Sequence, residues 1–144
     1  MILLPACADP KPPTFSVVEA AITDRTADAV VVTFTLEGTN NSNEPLPLDD
    51  VTYALNLNGR QVFAGTRDSE AALPPGHTQR IRLPVPVPTQ GGTPTTGAVP
   101  YRFSGTMLYR LPGAIAEVFF DSGFRTPSVG FSESGNLDFS QSTP

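Results

Sequence analysis

Apolar side chains take every second position in Val51, Tyr53, Leu55 and Leu57, and the run stops at Asn58-Gly59. Successive side chains point to opposite faces only along an extended strand, so this pattern buries one face and exposes the other. Asn-Gly favours a two-residue type I′ reversal, because both central positions then take positive φ. The hairpin so defined has arms Val51–Leu57 and Arg60–Thr66. A polar turn cluster containing Pro45 and Pro47 precedes it. Such a block builds one edge of a β-sandwich, and no residue in it is obviously able to do chemistry.

The same period recurs along the chain. A first strand is expected over Thr14–Thr23, with Phe15, Val17 and Ala21 toward the core, followed by a turn at Asp24–Asp28. From Ala29 to Glu37, Val30, Val32, Phe34 and Leu36 share one face, which is the cleanest strand pattern present. Gly38–Asp50 reads as a loop, in which Asn40, Asn41, Ser42 and Asn43 supply side chains that bond nearby backbone. A Leu73-Pro74-Pro75-Gly76 turn leads into His77–Pro88, where Ile81, Leu83, Val85 and Val87 alternate with Arg80, Arg82, Pro84 and Pro86. Proline lacks the N–H a ladder needs, so alternate prolines leave one side unpaired and mark an edge strand guarded by Pro and Arg.

A low-complexity loop is expected over Thr89–Gly97, then a strand from Tyr101 to Leu111 with Tyr101, Phe103, Met107 and Tyr109 inward. Ala114–Asp121 is the last clear strand, and no helical period of convincing length appears. About seven strands at this spacing define an all-β fold, a two-sheet antiparallel β-sandwich. The domain is expected over 14–126, after a Pro-rich lead at 1–13 and before a polar tail at 127–144.

A chain of 144 residues is most simply one domain with one core. Its net charge of -5, with Lys11 the sole lysine and arginines scattered from Arg25 to Arg125, provides no basic stripe. Nucleic acid is therefore set aside as a partner, because phosphate backbones require a clustered positive field. The single cysteine, Cys7, excludes an intrachain disulfide. Leu4-Pro5-Ala6-Cys7, followed by a Pro-rich spacer, resembles the end of a bacterial lipoprotein signal, in which the thiol receives a diacylglyceryl group. The competing reading is a plain N-terminal thiol.

Candidate chemistry is sparse. His77 is the sole histidine, and a triad built on it would need Ser69, Ser104 or Asp68; an exposed turn histidine is the simpler reading. Val129–Gly135 comes nearest to a nucleophile elbow but has the wrong spacing. One His and one N-terminal Cys do not make a zinc site. Asp49, Asp50 and Glu44 could offer oxygens to Ca²⁺, yet no Asp-x-Asp-x-Asp-Gly spacing supports this over solvated loop acids. Glu117 and Asp121 read as an outer face rather than a hydrolytic carboxylate pair. The aromatics Tyr101, Phe103, Tyr109, Phe119, Phe120 and Phe124 could line a pocket, but period two makes core packing the default. Phe119 and Phe120 are adjacent, so one ring must point away from the core, a hint of an interaction surface. Neither a cofactor nor catalysis is expected.

The order of these blocks carries a family resemblance. VVVTFTLEGTN, an Asn/Pro-rich loop, PLPLDDVTYALNLNG, a return ending Ala64-Gly65-Thr66, then LPPG and an alternating Val/Pro run follow one another. This resembles the water stress and hypersensitive response (WHy) domain of the group 2 late embryogenesis abundant family, over Thr14 to Thr126. Asn40-Asn41-Ser42-Asn43 stands where the family strand usually ends in Asn-Pro-Asn. The resemblance implies a sandwich of the immunoglobulin/fibronectin III kind, an association with desiccation or other stress, and no catalytic residues. The family has secreted bacterial members, some lipid-anchored, in keeping with Cys7. Plant members often show a helix, for which this sequence offers no good candidate.

The function expected is a non-enzymatic, desiccation-associated lipoprotein of the bacterial envelope, facing the periplasm and binding or protecting macromolecules. Its partner would be a protein or a membrane surface. The alternative is an accessory of envelope assembly or transport that docks a partner through an edge strand, with Arg80, Arg82, Phe119 and Phe120 as candidate contacts.

Overall fold

In the computed structural model, residues 12–90, 96–110 and 127–140 are described. They form strands β1 (Thr14–Arg25), β2 (Ala29–Thr39), β3 (Leu46–Leu57), β4 (Arg60–Asp68), β5 (Ala72–Leu73), β6 (Thr78–Pro88), β7 (Ala98–Tyr109) and β8 (Ser128–Asp138). No helix occurs among the described residues. One sheet has the order β1-β2-β6, and the other has β4-β3-β7-β8 with β5 also paired to β3. Every strand pair is antiparallel. The expected two-sheet sandwich is the fold.

The alternating residues meet between the sheets. Val30, Val32, Phe34 and Leu36 of β2 face Tyr101, Phe103 and Met107 of β7, and all are buried. Ile81, Leu83, Val85 and Val87 of β6 and Val51, Tyr53, Leu55 and Leu57 of β3 complete the interior. Each fully buried Val, Leu, Ile or Phe contributes about 1.5–3 kcal/mol, which is how such a core offsets chain entropy. Asn58 and Gly59 adopt φ of 52° and 80°, the type I′ geometry that Asn-Gly favours.

Three sequence expectations change. The loop expected over Gly38–Asp50 is shorter, because β3 already starts at Leu46, and Leu46 and Leu48 are buried. The polar tail expected from residue 127 instead includes β8, which pairs with β7 from Ala98↔Asp138 to Leu108↔Ser128. In β1 the core is reached by Ala20 and Ile22 rather than by Ala21, because a register shift between Val17 and Glu19 reverses the alternation. That bulge leaves Val18 45% exposed. The strand expected over Ala114–Asp121 lies outside the described residues.

Cross-strand pairs of glycine with an aromatic ring recur: Phe15↔Gly38, Tyr101↔Gly135 and Gly105↔Phe131. In each, the ring lies over the bare glycine of its neighbour. Gly105 is the least replaceable, since a Cβ there would sit 2.5 Å from both the Phe131 ring and the Thr52 carbonyl oxygen. A side chain can rotate, but the backbone of the central strand β3 cannot withdraw. Gly105→Ala is expected to cost about 1–3 kcal/mol by overpacking. Gly130→Ala is the matched control, with only the Gly105 oxygen near its new carbon at 3.7 Å. Thermal unfolding of the two variants side by side checks this.

Candidate functional site

One pole of the sandwich gathers the start of β1, the β2–β3 loop and the turn before β6. Its organiser is Asn40, 1% exposed. The Asn40 amide Nδ2 donates to the Glu44 carbonyl at 2.7 Å and to the Leu73 carbonyl at 3.0 Å. Its Oδ1 accepts from the Ser42 N–H at 2.9 Å and the Ser42 hydroxyl at 2.8 Å. The Asn40 backbone N–H donates to the His77 carbonyl at 3.3 Å. A buried amide with its capacity filled in this way ties three segments together. Beside it, Asn41 Nδ2 donates to the Pro12 carbonyl at 3.1 Å and fixes where the N-terminal lead meets the domain. The Asn-rich cluster thus bonds backbone as its composition implied.

His77 is exposed, and its backbone N–H closes the Pro-Pro-Gly turn onto the Pro74 carbonyl at 3.2 Å. Ser104 stands on β7, whereas Asp68 and Ser69 lie at the end of β4. Ser69 donates its N–H to the Asp49 carbonyl, and its Oγ is buried without a hydrogen-bond partner. Of the acids considered for Ca²⁺, Asp49 engages Arg110 at 3.3 Å and Asp50 stands opposite Asp68 in the β3–β4 register. Among the described residues no three His, Cys, Asp or Glu side chains group to hold a metal ion. Val129–Gly135 lies within β8 rather than at a strand-to-helix turn. Cys7, Glu117, Phe119, Phe120, Asp121 and Phe124 lie outside the described residues.

The sheet borders differ in what they leave free. β6 is an edge strand, as its prolines required, and it pairs only with β2. Alternate residues of an antiparallel strand direct their backbone groups to opposite borders. Pro84, Pro86 and Pro88 therefore remove donors from the border that β2 does not use, and the Tyr53 hydroxyl donates to the Pro84 carbonyl there at 3.0 Å. Backbone docking along the Pro84–Pro88 half of β6 is blocked; Arg80 and Arg82 remain exposed, with Arg80 3.7 Å from Glu37. β1 and β8 run beside one another, and the Arg25 guanidinium donates to the Phe139 carbonyl. β4 carries no proline, and Val62 and Phe63 are half-buried at its border. Sequence reading treated β4 only as a hairpin return, because its apolar pair is short and lacks alternation.

Of the aromatic set, Tyr101, Phe103 and Tyr109 are interior. Tyr101 stands beside Glu133, with its hydroxyl donating to Oε1 at 3.4 Å. Burial first, and then the Glu133 charge and this hydrogen bond, push the Tyr101 hydroxyl above the usual tyrosine range. Burial does the same to Tyr109. A raised folded pKa means that unfolding favours deprotonation. This contribution is complete below the unfolded value, about 10, and is lost as pH rises through the folded one. The melting temperature is expected to fall as pH climbs past about 10, and Tyr101→Phe should flatten that decline in a pH series of thermal melts.

The fold and surfaces together define a two-layer antiparallel sandwich with a side-chain-filled interior. The profile of one protein family, described as late embryogenesis abundant protein, matches residues 18–135. The chain belongs to that family, the type 2 late embryogenesis abundant proteins, and is a stress-associated protein of that kind. Proteins of this family are generally non-enzymatic. A solved protein of Arabidopsis thaliana is 17% identical at a TM-score of 0.67, over 95% of this chain and 87% of that one. A putative late embryogenesis abundant protein is 17% identical at a TM-score of 0.68, over 88% of this chain and 70% of the other. A protein from Archaeoglobus fulgidus is 12% identical at 0.60, over 87% and 97%. At such identities the likeness is one of fold. No curated protein matches the chain.

Proposed function

We propose that this is a non-enzymatic WHy-type domain that binds or protects other macromolecules during desiccation. It would be held by lipid on Cys7 in the bacterial envelope and face the periplasm. The family match over 18–135 is the observation that carries the stress role. A sandwich whose interior is filled by its own Phe, Leu and Val side chains makes its contacts from the surface. The anchor reading rests on the Leu4-Pro5-Ala6-Cys7 pattern and the Pro-rich spacer after it. One acyl chain holds a protein only marginally, whereas the two or three of a lipoprotein hold firmly.

Two measurements test this. Activity of a labile enzyme after drying should survive better with this protein than with an equal mass of serum albumin; equal survival counts against protection. The intact mass of the protein from native membranes should carry an acylated Cys7, and a free thiol removes the anchor. The accessory reading keeps Arg80, Arg82, Phe119 and Phe120 as candidate contacts, and on β6 it depends chiefly on the two arginines, since Pro84, Pro86 and Pro88 close that half of the border. Under it, replacing both arginines with Glu abolishes recovery of the partner.

A further inference from the structure

We infer that the border of β4, Arg60–Asp68, docks an extended polypeptide segment that is apolar at its centre and acidic at its ends. This rests on the reading that the protein binds other macromolecules, and it names where. Besides the two-residue β5, four strands border the two sheets: β1, β6, β4 and β8. β1 and β8 lie beside one another across the two sheets, and the Pro84–Pro88 half of β6 lacks donors at its outer border and is capped by Tyr53. Among the described residues β4 carries no proline, pairs in its own sheet with β3 alone, and lies beside β6 of the other sheet less extensively than β1 lies beside β8. An unpaired border of this kind is a template for strand addition, in which main-chain bonds supply affinity and side chains supply specificity.

The side chains of β4 define what fits. Phe63 is paired with Leu55 and its ring lies over Gly65 and against Tyr53, 5.4 Å between centroids, so it is held but only half covered. Val62 is the extra residue of a bulge between the Leu55 and Asn56 pairings, also half covered. That bulge leaves Phe63–Asp68 as the regular ladder for an incoming strand. Arg60 and Arg67 flank this apolar pair, both exposed and neither in an ion pair among the described residues. Asp68 is turned to local use, accepting the Glu70 N–H at 2.9 Å. The border therefore presents an apolar centre between two cations, which complements a segment with carboxylates at its ends. Such segments are exposed when other proteins partly unfold.

The probe is a fluorescent peptide of nine residues, the length of β4, alternating valine and threonine between terminal glutamates. Anisotropy titration against the full chain should give saturable binding. N-methylation of alternate peptide amides should weaken it about tenfold or more, since each ladder bond lost is felt. The double variant Arg60→Glu, Arg67→Glu should weaken it about tenfold and turn preference toward a lysine-ended peptide. Arg80→Glu should leave it unchanged. Equal binding of the N-methylated peptide, an unaffected double variant, or no saturable binding each overturns the assignment. If drying protection persists while the peptide fails to bind, the border falls alone. Should the peptide bind in this pattern while protection is absent, the border stands without the functional reading.

Discussion

Phe34→Ala is expected to lower stability by about 3–5 kcal/mol, the range for emptying a buried aromatic site. Phe34, at 0% exposure, projects from the middle strand of the three-stranded sheet and meets Phe103, also at 0%, from the other sheet. Their centroids are 3.9 Å apart with rings 2° from parallel. Tyr53 and Phe131 close around Phe103 at 5.7 and 5.8 Å, and Tyr101 approaches Phe34 at 5.7 Å. A parallel overlap gains little from ring quadrupoles, so the stabilisation here comes from burial and close contact. Two hydrogen-bonded sheets do not collapse into the space left by the ring, which places the cost high in the range. Urea denaturation measures it, with Phe34→Leu expected to lose far less. A loss no greater than that of Val17→Ala, half-buried on edge strand β1, would mean that the layers are not joined here.

Asn40→Leu keeps size while removing chemistry, and is expected to cost about 2–4 kcal/mol. The Glu44 and Leu73 carbonyls lose their donor, and the Ser42 N–H and hydroxyl lose their acceptor. Leaving buried polar groups unpaired costs more than the net gain of forming the bonds. Asn40→Asp keeps the acceptor for Ser42 but no donor for the two carbonyls, so it should fall between wild type and Leu. Hydrogen exchange gives a local readout. The Ser42 amide should lose protection in Asn40→Leu and retain it in Asn40→Asp. If both variants denature like wild type, this pole does not depend on the Asn40 side chain.

Strands β2, β6 and β7 were legible in the sequence because each keeps strict alternation where a core meets it. β3 was half hidden. Leu46 and Leu48 are in phase with one another but out of phase with Val51, Tyr53, Leu55 and Leu57, and a register shift against β7 between Leu48 and Val51 absorbs the slip. A reader following period two loses the strand at that point. β8 was missed for another reason. Two of its inward positions are Glu133, which receives the Tyr101 hydroxyl, and Gly135, which lies under the Tyr101 ring. Its neighbour supplies the apolar cover, so β8 carries little hydrophobic signal of its own.

The candidate surfaces divide in the same way. That β6 is an edge was written in Pro84, Pro86 and Pro88, since a missing N–H is a property of the residue wherever it sits. Local chemistry likewise determined the Asn58-Gly59 reversal and the bonding habit of Asn40 and Ser42. Which border stays open was a tertiary decision. It depends on β2 having taken the usable side of β6, on Tyr53 reaching Pro84 from the opposite sheet, and on β1 lying beside β8. Backbone donors look alike in every strand, and only tertiary neighbours set the border of β4 apart from those of β1, β6 and β8.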